Sequence, residues 1–207
     1  MKKVHLVDHS LIKHSLTILR DKNTGTENFR HHAAIVSQIM IVEATKNIPM
    51  NEFGVETPLA PTQGFRLQES IVFVPVLRAG ISMLSPARDF LPWTSVGFIG
   101  LERDEQTAIA REYYKKFPKG LQDKHVMVLD PMLATGGSLV DTISVLEEKT
   151  PKTISVVCIV AAPEGLELLQ KKYPAVEIFT AAIDSHLDER KYIVPGLGDF
   201  GDRYFGT

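Results

Sequence analysis

Short apolar runs separated by helix-length polar segments dominate the pattern of this chain. Three nearly continuous apolar runs, Ile71–Leu77, Val126–Leu129 and Ile154–Ala162, are each bounded by turn-forming residues and followed by a segment long enough for a helix. Val176–Ile183 is a fourth candidate strand, and it follows a helix-like segment at Glu164–Tyr173. Strands that are apolar on both faces are typical of a parallel sheet covered by helices. The alternation predicts an α/β fold with a central, mostly parallel sheet and ligand loops at the carboxyl ends of its strands.

The two ends of the chain carry patterns of their own. Glu27–Lys46 has apolar residues at helical spacing after the turn-forming Asp21–Gly25, so we expect a helix there. The last segment, Tyr192–Thr207, holds four glycines and one proline among aromatic and aliphatic residues. A frayed tail is usually polar. We therefore expect this segment to pack against the body, with its glycines at sharp turns or close contacts.

Composition narrows the class of protein. The 207 residues are 44% hydrophobic and 23% charged, which fits one soluble domain spanning 1–207. A net charge of −2 argues against nucleic-acid or anionic-membrane binding through a general positive field. The start of the chain lacks the apolar core of a signal peptide, and no stretch approaches the roughly 18 apolar residues of a membrane span. We expect a cytoplasmic protein.

Cys158 is the only cysteine of the chain. A single cysteine excludes an internal disulfide and agrees with a reducing compartment. Because Cys158 lies inside the apolar run Ile154–Val160, we interpret it as a small buried hydrophobe and not as a nucleophile.

The most informative stretch joins a buried strand to a helix through a glycine-rich turn. Val126–Leu129 is followed by Asp130–Ser138, and then by apolar residues at helical spacing from Leu139 to Leu146. A helix beginning near Ser138 would direct its free amides and positive dipole end at a phosphate. A strand-to-helix turn with Ser138 as an N-cap would give the same pattern without any ligand.

Two common nucleotide motifs are absent from this loop. The P-loop needs a lysine before its Ser or Thr, where Gly137 stands here, and the dinucleotide fingerprint Gly-x-Gly-x-x-Gly is missing. The loop therefore suits a monophosphate. Asp130, at the end of the strand, is placed to accept hydrogen bonds from both hydroxyls of an attached ribose.

The run Asp130-Pro131-Met132-Leu133-Ala134-Thr135-Gly136-Gly137-Ser138 resembles the type I phosphoribosyltransferases, and within them the uracil phosphoribosyltransferase family. Most members of the wider class have two adjacent acids, whereas Pro131 replaces the second one here. The resemblance extends from about Leu19 to Thr207 and includes Arg20–Thr26 and Glu56–Pro58. It implies the type I phosphoribosyltransferase fold with a small base-binding hood. It also implies the conversion of uracil and phosphoribosyl diphosphate to UMP and diphosphate, in pyrimidine salvage.

The resemblance implies how the sugar donor binds. Arg78 follows the strand Ile71–Val74 in the loop Pro75–Gly80 and would contact the pyrophosphate, and Arg103 would meet it from a mobile loop that closes over the donor. On composition alone, Arg78 is a surface arginine and Glu102–Glu105 a solvated charged turn. With Asp130, the two arginines form the implied catalytic set. The implied donor-binding residues are Arg78, Arg103, Asp130, Pro131, Met132, Leu133, Ala134, Thr135, Gly136, Gly137, Ser138 and Asp199.

The resemblance assigns uracil to the C-terminal segment. Ile193 and Gly198 would offer main-chain groups to the base and Phe200 a further backbone contact, while Tyr192 would wall off the ring's C5. Asp199 would face the donor's sugar or its hydrated metal. Alanine is the usual family residue at Phe200, which puts the pocket shape in question but not a backbone contact. Gly201–Thr207 has the alternative role of packing for stability.

Cofactor and partners follow from the same resemblance. Mg²⁺ would be bound mainly by the donor's oxygens, because the sequence has no compact carboxylate cage. Some members of the family are activated by GTP and form dimers or tetramers, so a GTP effect and a homo-oligomer are hypotheses, with Arg20–Thr26 and the following helix as interface elements. The partners are otherwise uracil, phosphoribosyl diphosphate and UMP.

Three alternatives were compared with this interpretation. A purine or orotate phosphoribosyltransferase should carry two acids at 130–131, and a messenger-RNA-binding regulator of the same fold needs a basic face, which a pI of about 6.4 disfavours. His5, His9 and His14 have spacings that a helix would bring towards one face, but they lack the glutamate of a zinc hydrolase motif. His31, His32 and His186 are interpreted as surface or structural residues.

Overall fold

The computed structural model describes residues 3–103 and 110–207, with side chains described outside 101–112. Its main sheet has nine strands. Among the described residues the strands are β1 (Val4–Leu6), β2 (Met50–Glu56), β3 (Pro61–Leu67), β4 (Ser70–Leu77), β5 (Ser95–Val96), β6 (Phe98–Arg103), β7 (Ala110–Lys116), β8 (Lys124–Leu129), β9 (Met132–Leu133), β10 (Thr153–Ala161), β11 (Glu177–Ile183), β12 (His186–Leu187) and β13 (Ile193–Val194). The helices are α1 (Ser10–Arg20), α2 (Thr26–Thr45), α3 (Ile81–Phe90), α4 (Gly137–Glu147), α5 (Pro163–Lys172) and α6 (Phe200–Phe205).

The main sheet runs in the order β1-β11-β10-β8-β4-β6-β7, with β5 beside β4 and β9 beside β10. Its strands pair in parallel, apart from the antiparallel pair β6 and β7. The expected central, mostly parallel sheet is thus confirmed. β8 lies between β10 and β4 and pairs in parallel with both. The loops that follow these three strands therefore leave from the same edge of the sheet, where ligands bind in α/β folds.

Two apolar layers cover the sheet. On one face α1, α2, α3 and α6 bury a cluster that includes Phe29, Met40 and Phe200. On the other face α4 and α5 bury a cluster that includes Ile143, Leu146 and Leu166. The central strands β4, β8 and β10 are buried over most of their length because both of their faces are covered, which explains their continuous apolar runs.

Most predicted elements are present, and two predictions were wrong. The helix expected at Glu27–Lys46 is α2, and the four expected strands are β4, β8, β10 and β11. Pro75 does not begin the loop: β4 continues to Leu77, with Pro75 paired to Leu129 of β8. His5 lies on strand β1, stacked on Phe179, so it does not share a helix with His9 and His14.

Two small antiparallel hairpins stand apart from the main sheet. β2 and β3 pair from Met50 with Leu67 to Glu56 with Pro61, a hairpin that the sequence analysis did not predict. β12 and β13 form a short hairpin at the start of the C-terminal segment, and the base-binding hood stays a prediction. No helix in the described part of the chain is long and apolar enough to cross a membrane.

Candidate active site

The glycine-rich loop forms a small cradle at the carboxyl edge of the sheet. The Asp130 amide donates to the Val157 carbonyl at 3.2 Å, and Met132–Leu133 add the short strand β9 to β10. These contacts anchor the loop between β8 and α4. The cradle encloses about 70 Å³ and is lined by Asp130 and the residues Met132–Leu139.

Gly136, and not Ser138, caps the helix that follows the cradle. Gly136 has the left-handed φ of +82°, and its carbonyl accepts the first helical hydrogen bond from the Val140 amide. The alternative with Ser138 as a side-chain N-cap is wrong, because α4 begins before Ser138 and has no side-chain cap. The amides of Gly137, Ser138 and Leu139 precede Val140, the first intrahelical donor, and lie at the positive end of the helix dipole, in residues that line the cradle.

Asp130 is the titratable group with the most altered environment in this cradle. Burial raises the pKa of its carboxyl to about 7, although the Met132 amide, which donates to Oδ1 at 3.3 Å, acts in the opposite direction. Such a shift is expected when a carboxylate loses its hydration and gains no neighbouring cation, because the charged form is then destabilised. The same carboxyl is therefore ready to accept hydrogen bonds from a ligand.

A second cavity of about 320 Å³ adjoins the cradle. Met132 and Ala134 line both cavities, so the two cavities lie side by side. The remaining lining comes from Ala79 after β4, from the β12–β13 turn and from the C-terminal segment, namely Arg190, Lys191, Tyr192, Ile193, Gly198, Asp199, Phe200 and Gly201. The structure thus brings the predicted uracil residues next to the phosphate loop.

The C-terminal residues take part in this cavity in different ways. Tyr192 is 47% exposed and Ile193 is buried, while Gly198 has a left-handed φ of +78°. Phe200 lines the cavity, but its ring is buried in the core, 5.2 Å from Phe29 and 5.8 Å from Tyr204 between ring centres. Since the Phe200 ring packs inside, a contact of this residue with a base would come from its main chain.

Asp199 has a structural task in the structure. Its Oδ1 accepts the Asp202 amide at 2.9 Å and so caps α6. The residue is exposed and borders the second cavity. The predicted contact of Asp199 with the donor's sugar or metal stays a prediction.

Arg78 begins the loop between β4 and α3. The residue is exposed, its carbonyl accepts the Ile81 amide at 3.1 Å, and the Leu77–Arg78 peptide bond is cis. Gly80 is buried so tightly that a Cβ would lie 2.2 Å from the Leu129 carbonyl oxygen. Because Gly80 has no side chain, the Arg78 loop can pack directly against β8, the strand that Asp130 follows. The side chain of Arg103, the other predicted pyrophosphate contact, lies outside the described residues.

The sequence analysis missed two cations at the second cavity. Arg190 and Lys191 lie in the turn between β12 and β13, and Lys191 has a φ of +67°. The Asp188 carboxylate orders this turn by accepting the amides of Arg190 at 2.9 Å and Tyr192 at 2.8 Å. A left-handed backbone at a non-glycine residue beside a cavity is a known indicator of a functional site. It is visible only in the structure, because no sequence pattern predicts this conformation for a lysine.

Comparisons with known proteins agree with this geometry. A family model described as uracil phosphoribosyltransferase matches residues 6–207. A uracil phosphoribosyltransferase from Dictyoglomus thermophilum is 50% identical over 205 residues, 99% of each chain, and one from Ureaplasma urealyticum is 46% identical over 203 residues, 98% of each chain. A solved protein from Aquifex aeolicus superposes with a TM-score of 0.93 at 38% identity, covering 99% of this chain and 98% of its own.

More distant solved structures share the fold alone. A hypoxanthine phosphoribosyltransferase from Staphylococcus aureus is 11% identical, with a TM-score of 0.53 over 81% of this chain and 85% of its own. The sheet and its crossing helices are therefore those of the phosphoribosyltransferases.

Proposed function

The chain belongs to the uracil phosphoribosyltransferase family, and from that premise we propose how its site divides the work between donor and base. The enzyme joins uracil to the ribose of phosphoribosyl diphosphate, giving UMP and diphosphate. The observation that supports the division is the pair of adjoining cavities, a small one at the glycine-rich loop and a larger one at the C-terminal segment, with Met132 and Ala134 between them.

The cradle Asp130–Ser138 binds the 5-phosphoribosyl part of the donor. Its helix amides and the Thr135 and Ser138 hydroxyls match the oxygens of a dianionic monophosphate. The Asp130 carboxylate accepts the 2- and 3-hydroxyls of the ribose, which supply the hydrogen bonds that its burial leaves unmet.

The second cavity binds uracil through the main chain. A backbone amide that donates to O4 and a carbonyl that accepts from N3–H match uracil, and they leave cytosine mispaired at both positions. Each unpaired buried polar group costs about 1–3 kcal/mol, so two are enough to reject cytosine. Ile193, Gly198 and Phe200 supply these groups, and the Tyr192 ring limits the room beside C5.

The chemistry needs no nucleophile from the protein. The C1–O bond to pyrophosphate breaks while uracil N1 forms the new bond at C1 from the opposite face. The N1 proton passes to the departing diphosphate or to water, so the products are UMP and diphosphate. Positive charge builds on the ribose ring, as in glycoside cleavage. The residues contribute alignment of the two reactants, neutralisation of the leaving pyrophosphate by Arg78 and Arg103, and exclusion of water.

Mg²⁺ is proposed to bind mainly through the oxygens of the donor. Among the described residues, no three His, Cys, Asp or Glu side chains gather into a metal site. The carboxylates that border the cavities are Asp130 and Asp199, and Asp199 would hold a hydrated ion through water. When bound, Mg²⁺ supplies charge neutralisation to the pyrophosphate of the donor.

A labelled-uracil assay with phosphoribosyl diphosphate and Mg²⁺ tests the activity directly. We expect UMP to form, and Arg78→Ala to raise the KM for the donor. Arg88→Ala removes an exposed arginine one helix away, in the last turn of α3, and serves as the matched control. Arg78→Ala turning over like the wild type, or Arg88→Ala losing as much, would remove Arg78 from the donor site.

Three further expectations rest on the resemblance and need their own measurements. Activation by GTP is tested by initial rates with and without the nucleotide. Assembly into a dimer or tetramer is tested by light scattering, and a cytoplasmic location by fractionation of the native host cell.

A further inference from the structure

A bidentate ion pair lies directly behind the loop that edges the second cavity. Asp184, which follows β11, has a side chain only 5% exposed, and its Oδ1 and Oδ2 accept Arg20 Nη2 and Nη1 at 2.6 and 2.8 Å. Arg20 is the last residue of α1, 164 positions earlier in the chain. The pair therefore joins the end of a helix to the carboxyl end of a sheet strand.

Both main-chain groups of Gly196 bind to this ion pair. The Gly196 amide donates to Asp184 Oδ2 at 2.8 Å, and its carbonyl accepts from Arg20 Nη1 at 2.7 Å. Gly196 has a left-handed φ of +58°, and a Cβ there would lie 2.1 Å from the Ile193 carbonyl oxygen. The ion pair thus holds the two peptide units on either side of the Gly196 Cα. They lie between Ile193 and Gly198, the residues whose main chain is proposed to bind the base.

A second arginine holds the next peptide of the same loop. Arg203 Nη1 donates to the carbonyls of Leu197, at 2.7 Å, and Leu19, and Nη2 donates to the Asp21 carbonyl at 2.6 Å. Its guanidinium lies 4.5 Å from the centre of the Phe29 ring. The loop and the end of α1 are consequently tied together at two successive residues.

We propose that Arg20 and Asp184 are positioning residues for uracil: they set the orientation of the Ile193–Gly198 main chain without touching the substrate. The inference rests on the proposed role of that main chain in binding the base. Main-chain recognition requires each amide and carbonyl to be aimed within a narrow angle, and the loop's glycines allow many other conformations. A planar guanidinium and a carboxylate that bind the two peptide units flanking Gly196 remove this freedom.

The test compares two arginine-to-lysine changes. Arg20→Lys keeps the charge but loses the planar fork that binds Asp184 and Gly196 together. Arg30→Lys is the matched control, because Arg30 also binds main-chain carbonyls of the C-terminal segment, Tyr204 at 2.7 Å and Phe205 at 3.4 Å, but beyond the cavity. Asp184→Asn is the second variant, which keeps an oxygen for the Gly196 amide and removes the charge.

We expect the KM for uracil to rise on the order of tenfold in Arg20→Lys and Asp184→Asn, with the KM for phosphoribosyl diphosphate within about twofold of the wild type. Arg30→Lys should leave both KM values unchanged. All assays are run well below the thermal midpoint of each variant, so that lost stability alone moves neither KM.

Three results would overturn the proposal. They are an unchanged uracil KM, an equal rise of both KM values, and failure of both variants to fold, which would assign the pair to stability alone. These outcomes are distinct from a failure of the proposed function, in which the wild-type protein itself forms no UMP.

Discussion

Replacing Asp130 by asparagine should make the protein more stable at alkaline pH while removing most of its activity. Asparagine has nearly the shape of aspartate but no charge. Burial raises the pKa of the Asp130 carboxyl from 3.8 to about 7, so the folded state holds a proton that the unfolded chain has released between these two values. Ionisation of Asp130 therefore lowers the free energy of unfolding of the wild type. This penalty is absent near pH 3, grows as pH rises, and is complete above pH 7.

The size of the effect follows from the two pKa values. With about 1.4 kcal/mol for each pH unit, the full penalty is about 4 kcal/mol, and more than half of it develops between pH 5 and pH 8. Asp130 is half-buried and borders a cavity open to water, which reduces the penalty. We expect the stability of Asp130→Asn relative to the wild type to increase by at least about 1 kcal/mol over this interval.

Urea unfolding of both proteins at pH 5 and pH 8 measures this difference, and subtracting the wild type cancels groups that titrate alike in both. The activity of the variant, measured as UMP formation at pH 8, should fall on the order of 100-fold, because the ribose hydroxyls lose a charged acceptor. A stability difference that does not change with pH, or that favours the wild type more at pH 8, would refute the reasoning. Wild-type turnover in the variant would remove Asp130 from the site.

Three other changes test separate parts of the structure. Phe200→Ala removes a buried ring and should lower the free energy of unfolding by about 3–5 kcal/mol in a urea titration. UMP should still form at low temperature, because the proposed contact of this residue with the base is through its main chain. Complete loss of activity in folded protein would contradict that. Gly136→Ala places a Cβ at a φ of +82° and 3.1 Å from the Gly165 carbonyl, so we expect weaker donor binding in a KM measurement. Gly120→Ala is its control, with a φ of +68° but open space, and should cost about 1–2 kcal/mol of stability and no donor affinity. Burial raises the pKa of the Cys158 thiol to about 12, so iodoacetamide at pH 8 should label it only after unfolding, as seen by mass spectrometry; rapid labelling of native protein would show an accessible thiol.

Continuous apolar runs were a reliable guide to the core because they record burial on both faces. The runs that became β4, β8 and β10 were visible in the sequence, and the buried Cys158 was predicted from its place in the last of them. The hairpin β2–β3 was missed because its residues are mostly exposed, and exposed strands carry no apolar alternation. Pro75 was misplaced because proline usually marks a loop, whereas here it lies inside the buried part of β4, which continues to Val76.

The same contrast holds for the candidate site: one part is formed by neighbouring residues of the chain and the other by residues far apart in it. The cradle Asp130–Ser138 could be predicted because a strand, a glycine-rich turn and a helix follow one another in the chain, and local geometry alone directs the amides. The place of the base cavity beside it depended on the resemblance, because Ala79 and Gly198 meet there only after folding. Arg190 and Lys191 had no pattern to reveal them.

The sequence by itself determined the fold class, the buried strands, the strand–glycine turn–helix unit at Asp130–Ser138 and the family, since each depends on neighbouring residues or on a contiguous motif. Only the tertiary structure decided that Phe200 turns its ring into the core and that Arg20 and Asp184 enclose the Gly196 peptide. These contacts join residues up to 176 positions apart, and hydrogen bonds at such separations leave no periodicity in the chain. Their partners become neighbours only when the sheet and helices pack.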